Sequence, residues 1–202
     1  MSQILVDNEV IADVAGLSEE ATVPMHTSFA LGFPAGGAQY KAAERGTAPT
    51  VSFAGEAGKK YTLIMTDPDA PDRSEHAYRE FVHWVQCDLD FQGADGREVL
   101  SYCGPGPPCN SGYHRYVYML YEQPEGADVD SLSGIFEGRG GKKAHMAAKA
   151  AGLGPLVAVD FIMCDWDESV DPLHETLGFL PPDKYQRYDE HEHEHEHKSM
   201  SC

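Results

Sequence analysis

The sequence predicts a β-rich fold, all-β or mixed with a few helices, on three observations. Three runs of apolar, β-branched and aromatic residues have strand length: YTLIMT at 61–66, FVHWVQCDL at 81–89 and HRYVYMLYEQ at 114–123. The connections between them are rich in glycine and proline, which turn and stiffen a chain without extending a helix. One segment alone has clear helical composition and punctuation, KKAHMAAKAA at 142–151, with Gly138, Gly140 and Gly141 before it and Gly152 after.

In chain order, residues 1–30 are mixed and lead to a short strand expected over Met25 to Ala30. Residues 32–50, GFPAGGAQYKAAERGTAPT, read as loop with brief strand. VSFA at 51–54 runs toward a turn at Gly55 to Gly58, and the three main strands follow. A further strand is expected at 156–163, LVAVDFIM. Asp171 is placed to cap a short helix with Pro172 at its first position, putting Leu173, Leu177 and Leu180 on one side. No internal repeat is present. The pattern assigns residues 1–180 to one domain. Residues 181–202, with few large apolar side chains and an alternating His/Glu run, are expected to be a disordered tail.

A chain of 202 residues can bury a core without disulfide staples. Its five cysteines (Cys87, Cys103, Cys109, Cys164, Cys202) include no CxxC pair, so free thiols in a reducing cytoplasm are expected, with a Cys103–Cys109 bridge as the alternative. No apolar run approaches a membrane span, and the N-terminus lacks the features of a secretory signal. The net charge of −18 argues against a nucleic-acid partner, and any anion site on this chain needs local compensation. Lys142, Lys143 and Lys149 make a small basic patch that reads as a solvated helix face. No cofactor motif appears. His191, His193, His195 and His197 could hold a transition metal adventitiously, but a solvated tail is the simpler reading.

Three polar clusters interrupt the apolar strands. In DPDAP at 67–71, Asp67 continues the inward face of Leu63 and Met65, and Pro71 is a candidate for a cis bond. His83 is in phase with Phe81 and Val85. YCGPGPPCNSGYHRYVY at 102–118 puts His114 and Tyr116 on one strand face and Arg115 and Val117 on the other. Each has an ordinary structural reading on its own: a proline-stiffened turn, a core histidine, an aromatic strand after a long hairpin loop.

Taken together and in order, DPDAP, YREFVHW at 78–84 and GPGPPCNSGYHRYVYMLYEQ at 104–123 resemble the two signature regions of the phosphatidylethanolamine-binding protein family. The resemblance runs from about Tyr61 to Gln123, with weaker support at 164–180. It implies a sandwich-like fold of a large antiparallel sheet and a smaller sheet with a few peripheral helices. It also implies a ligand-binding set of Asp67, Asp69, Pro71, His83, Gly106, Pro108, His114 and Tyr116, with Pro107 in the second motif. The implied function is binding of an anion or phospholipid head group similar to phosphoethanolamine, in a monomeric regulator of kinases or proteases rather than an enzyme. Pro105 lengthens the proline run, and Cys109 stands where animal members have a lysine, removing a positive charge from the mouth.

The residue chemistry suggests how such a site would work. Asp67 beside His83 or His114 would raise the imidazole pKa and hold it protonated. That imidazolium, the Tyr116 phenol and backbone N–H groups of the glycine loop would then donate to phosphate oxygens. The alternative is a hydrolase using an Asp–His pair in the same pocket. Against it, no serine or cysteine lies in a GxSxG elbow.

Overall fold

A computed structural model of the chain describes residues 3–14, 16 and 29–179. Two short helices, α1 (Gln3–Asp7) and α2 (Val10–Asp13), precede six strands. These are β1 (Ala38–Lys41), β2 (Lys60–Asp67), β3 (Phe81–Leu89), β4 (Arg97–Leu100), β5 (His114–Gln123) and β6 (Leu156–Asp165). Helices α3 (Ser131–Ile135) and α4 (Ala144–Ala150) lie between β5 and β6, and α5 (Val170–Leu177) follows. The strands form one sheet in the order β1-β6-β5-β2-β3-β4, antiparallel except for the β1–β6 edge pair.

The expected β-rich class is what the chain adopts, and the four longest strands fall where their apolar runs put them. They read as continuous runs because both sheet faces are covered. One face carries Ile64, Val82, Val117, Met119 and Phe161, packed with Leu5, Val10 and Ile11 of α1–α2 and with Leu132, Ala144, Ala147 and Ala148 of α3–α4. The other carries Leu63, Met65, Trp84, Tyr116, Tyr118 and Leu120 under Leu31, Val51 and Phe53. Of the smaller sheet, the described residues contain an antiparallel bridge between Ala30 and Ser52. The rest of the strand expected at 25–30, Leu180 and the tail 181–202 lie outside the described residues.

The C-terminal helix differs from its sequence reading. α5 begins at Val170 with Ser169 at the N-cap, and Asp171 instead accepts a hydrogen bond from Trp166 Nε1 (3.2 Å). Its buried side chains are Val170 and His174, not the leucines. Gly178 ends it in the left-handed conformation (φ 75°) that a residue without Cβ adopts at no steric cost. Cys87, Cys103 and Cys164 are buried free thiols, but Cys109 is disulfide-bonded, which corrects the expectation of free thiols throughout; the bridge is not the Cys103–Cys109 one. Among the described residues, no helix is long and apolar enough to cross a membrane.

Candidate anion-binding site

Because β5, β2 and β3 are neighbours, the end of β2, the start of β5 and the start of β3 meet at one end of the sheet's central strands. Asp67, His114, Tyr116 and His83 are therefore assembled by register alone. All four are buried. The chain leaves β2 through the cis Ala70–Pro71 bond, and Ala70 O accepts the Tyr78 N–H (3.1 Å) on the return toward β3.

His114 is held at both ring nitrogens. Nδ1 lies 2.8 Å from Asp67 Oδ2, and Nε2 lies 2.9 Å from Ser111 Oγ. The Ser111 hydroxyl donates its single proton to Pro108 O (2.7 Å), so toward Nε2 it can only accept. The ring therefore donates at Nε2 and faces a carboxylate at Nδ1, the arrangement of an imidazolium. Burial lowers the His114 pKa, but Asp67, with Asp69 and Asp72, outweighs it and raises the value above 6.5. The other Asp67 oxygen accepts the Asp69 N–H (2.7 Å).

Asp69 turns to the opposite face of the sheet. Its carboxylate takes the Arg115 backbone N–H (2.9 Å), Nε (2.9 Å) and NH2 (2.6 Å), with both side chains fully buried. Burial raises the Asp69 pKa and Arg115 more than reverses it, leaving the group lowered. Arg115 also reaches Asn8 O (2.6 Å) and Asp13 (3.2 Å), tying α1 and α2 to the back of the site. Arg79 bonds Pro68 O (2.6 Å) and lies 3.6 Å from Asp13 and 3.7 Å from Asp69.

His83 has a different environment from the one expected for it. Its Nδ1 faces two backbone carbonyls, Cys103 O (2.9 Å) and Gly104 O (3.1 Å). Carbonyls only accept, so Nδ1 carries the proton. Burial drives the pKa down to about 4, against the pull of Asp67, and the ring is neutral. Of the two histidines that Asp67 could hold protonated, it is committed to His114 and not to His83. The His83 ring stands edge-on to Tyr116 (centroids 5.1 Å) and 4.9 Å from Phe81. Tyr116 OH accepts the Gly106 N–H (3.1 Å).

α5 covers this corner. His174 Nε2 donates to Gly106 O (2.9 Å), and Phe179 packs against His174, Phe81 and Tyr78. Gly106 is required by that approach, since a Cβ there would lie 3.2 Å from Leu173 Cδ2 and 3.4 Å from His174 Nε2. Pro71 is half-buried and Pro108 buried; Pro108 contributes its carbonyl to Ser111.

The structure thus gathers Asp67, His83, Gly106, Pro108, His114 and Tyr116, and places the Asp69 carboxylate behind them. Sequence reasoning missed Ser111, the Arg115 partner of Asp69, and His174. Alternation had put Arg115 on the face opposite His114, which was the available signal that a counter-ion was needed there. No group of three or more metal-ligating side chains occurs among the described residues.

The sequence matches the family described as phosphatidylethanolamine-binding protein over residues 19–161. It is 40% identical over 103 residues to an uncharacterized protein of Saccharomyces cerevisiae (44% of this chain, 51% of that one). It is 39% identical over 94 residues to the carboxypeptidase Y inhibitor of the same yeast (37% of this chain, 43% of that one). The matched segments span about half the length of these relatives or less. The fold is similar to that of carboxypeptidase Y inhibitor in the crystal structure with its cognate proteinase: TM-score 0.63, 26% identity, 82% of this chain and 94% of that one. It is also similar to a phosphatidylethanolamine-binding protein of Plasmodium falciparum: TM-score 0.67, 19% identity, 82% and 97% coverage.

Proposed function

The chain belongs to the phosphatidylethanolamine-binding protein family, and from that premise we propose that it is a non-catalytic binding protein. It takes a phosphate-type anion between His83 and Tyr116 and acts on protein partners. The observation that carries the anion site is a pair of polar groups left available in a buried corner. His83 Nε2 and the Tyr116 O–H proton have no partner among the described residues, on rings 5.1 Å apart. They sit beside a loop whose glycine allows close approach. A hydrolytic role has less support, because His114 is a donor at Nε2 and offers no base to the Ser111 hydroxyl. Titration calorimetry of the full chain with inorganic phosphate and with O-phosphoethanolamine tests the site. Saturable binding that His83→Ala removes is expected; binding untouched by that change sinks the assignment.

Among protein partners, a proteinase has the most specific support, since the carboxypeptidase Y inhibitor is similar in both sequence and fold. Slowing of carboxypeptidase Y peptidase activity by stoichiometric full chain is the expected result. An unchanged rate at a large excess would turn the search to kinases.

A further inference from the structure

We infer that the pocket takes its anion together with a proton, so that the preferred ligand is a phosphomonoester or inorganic phosphate carrying a P–OH rather than a phosphodiester. This rests on the anion site proposed above and adds which protonation state and ester class that site accepts.

The argument starts from the two carbonyls at His83 Nδ1. They fix the neutral ring as the Nδ1–H tautomer, which leaves a lone pair at Nε2. A fully ionised phosphate oxygen placed there would meet lone pair against lone pair. A P–OH placed there donates to Nε2, while Tyr116 O–H donates to a second oxygen. The protonated ligand brings the proton with it, and no other bond changes.

The surrounding charges point the same way. The titratable groups around the ring are Asp67, Arg139, the Cys103 thiol and Tyr116. Asp67 is occupied by the Asp69 N–H and His114. Arg139 donates to Val82 O, His83 O and Ser101 O. Arg115 and Arg79 are shared between Asp69 and Asp13, and the His114 imidazolium is offset by Asp67. Arg139 bonds only neutral oxygens and the other cations are matched by carboxylates, so the second charge of a dianion would enter a buried site with no counter-charge among the described residues. A protonated monoanion reduces that cost. With Nε2 unable to donate until the ring itself is protonated, near pH 4, a diester must take a proton from solvent at any higher pH.

The test is calorimetry of the full chain at pH 5.5, 7 and 8.5, in two buffers of different ionisation heat. The ligands are inorganic phosphate, O-phosphoethanolamine and glycerophosphoethanolamine, the diester that keeps the amine. For O-phosphoethanolamine, affinity should fall about tenfold per pH unit above its second phosphate pKa near 6, and less steeply for inorganic phosphate, whose dianion keeps a P–OH. One proton should be taken up with O-phosphoethanolamine above that pKa and none below it. The diester should bind more than tenfold more weakly at pH 5.5 and take up a proton throughout. His83→Gln, which offers an amide N–H in place of the lone pair, should flatten the pH dependence and narrow the gap. Equal affinity for the diester without proton uptake, or O-phosphoethanolamine affinity flat from pH 5.5 to 8.5, overturns the inference while leaving the pocket in place. No binding of any of the three overturns the pocket and the inference with it.

Discussion

Ser111 Oγ and His114 Nε2 lie 2.9 Å apart with the imidazole as donor, which makes a Ser–His–Asp array with Asp67 that runs opposite to a nucleophilic triad. The proton that a base would have to remove is already given to Pro108 O. The array is a clamp: it fixes the loop after Pro108 to the end of β2 through a ring that is fully buried.

Ser111→Ala removes the acceptor of a buried N–H and should destabilise the fold by about 1–3 kcal/mol, with Ser111→Thr close to wild type. His114 has a raised pKa, so its contribution is present in full below 6.5, the ordinary value, and is lost as pH rises through the folded one. The alanine penalty should accordingly be larger at pH 6 than at pH 9, where the neutral ring no longer needs an acceptor at Nε2. Urea midpoints at the two pH values measure this; a penalty that grows with pH contradicts the imidazolium.

How much of this was legible follows from which interactions sequence encodes locally. β2, β3, β5 and β6 were readable because burial on both faces demands unbroken apolar runs. β1 (AQYK) and β4 (REVL) are short, half-polar edge strands, and their pairing partners supply the pattern that their own residues lack. α1 and α2 are too short for a helical period to show, and Leu5, Val10 and Ile11 acquire meaning only against the sheet. The structure brings Asp67, His83, His114 and Tyr116 to one corner, but which of the two histidines Asp67 holds could not be read from the sequence. Whether Asp67 faces His83 or His114 depends on where the carbonyls of Cys103 and Gly104 fall, and a 20-residue separation in sequence hides that contact.

Tyr116→Phe separates the pocket from the scaffold. The ring stays and fills the same volume, but Gly106 N–H loses its acceptor and the anion loses a donor. A stability loss of about 1 kcal/mol is expected, with phosphate affinity down roughly tenfold, the scale of one hydrogen bond to a charged group. Calorimetry on the variant decides it: unchanged affinity removes Tyr116 from the site.

Asp69→Asn leaves the fully buried Arg115 guanidinium with only the partly exposed Asp13 as counter-charge. A cost of roughly 3 kcal/mol is expected. Asp69 has a lowered pKa, so its stabilisation is present above the unfolded value and lost as pH falls through the folded one. The gap between variant and wild type should therefore hold from neutral pH to about 4 and close only below it. Amide exchange in 3–14 should also speed up, since Arg115 holds Asn8 O. Equal exchange in the two proteins would mean that α1 and α2 do not depend on this pair.

Glu80 offers the opposite sign. It is fully buried beside the pocket strand, with Oε2 accepting the Ala144 N–H (3.2 Å) and the Thr66 hydroxyl nearby. Burial pushes its pKa from 4.5 to about 7, only partly countered by the Ala144 N–H, Lys143, the Thr66 hydroxyl and Arg79. Between those values the folded chain binds more protons than the unfolded one, so wild-type stability declines as pH rises from 4.5 to about 7. At about 1.4 kcal/mol per pH unit, the loss is bounded at roughly 3 kcal/mol. Glu80→Gln keeps an acceptor for Ala144 and offers an N–H to Thr66 without the charge. It should match wild type near pH 5 and be more stable by about 1–3 kcal/mol at pH 8. Guanidinium denaturation at both pH values provides the measurement. A variant less stable than wild type at pH 8 would mean that the carboxylate, not the neutral acid, is the form this corner of the fold is built around.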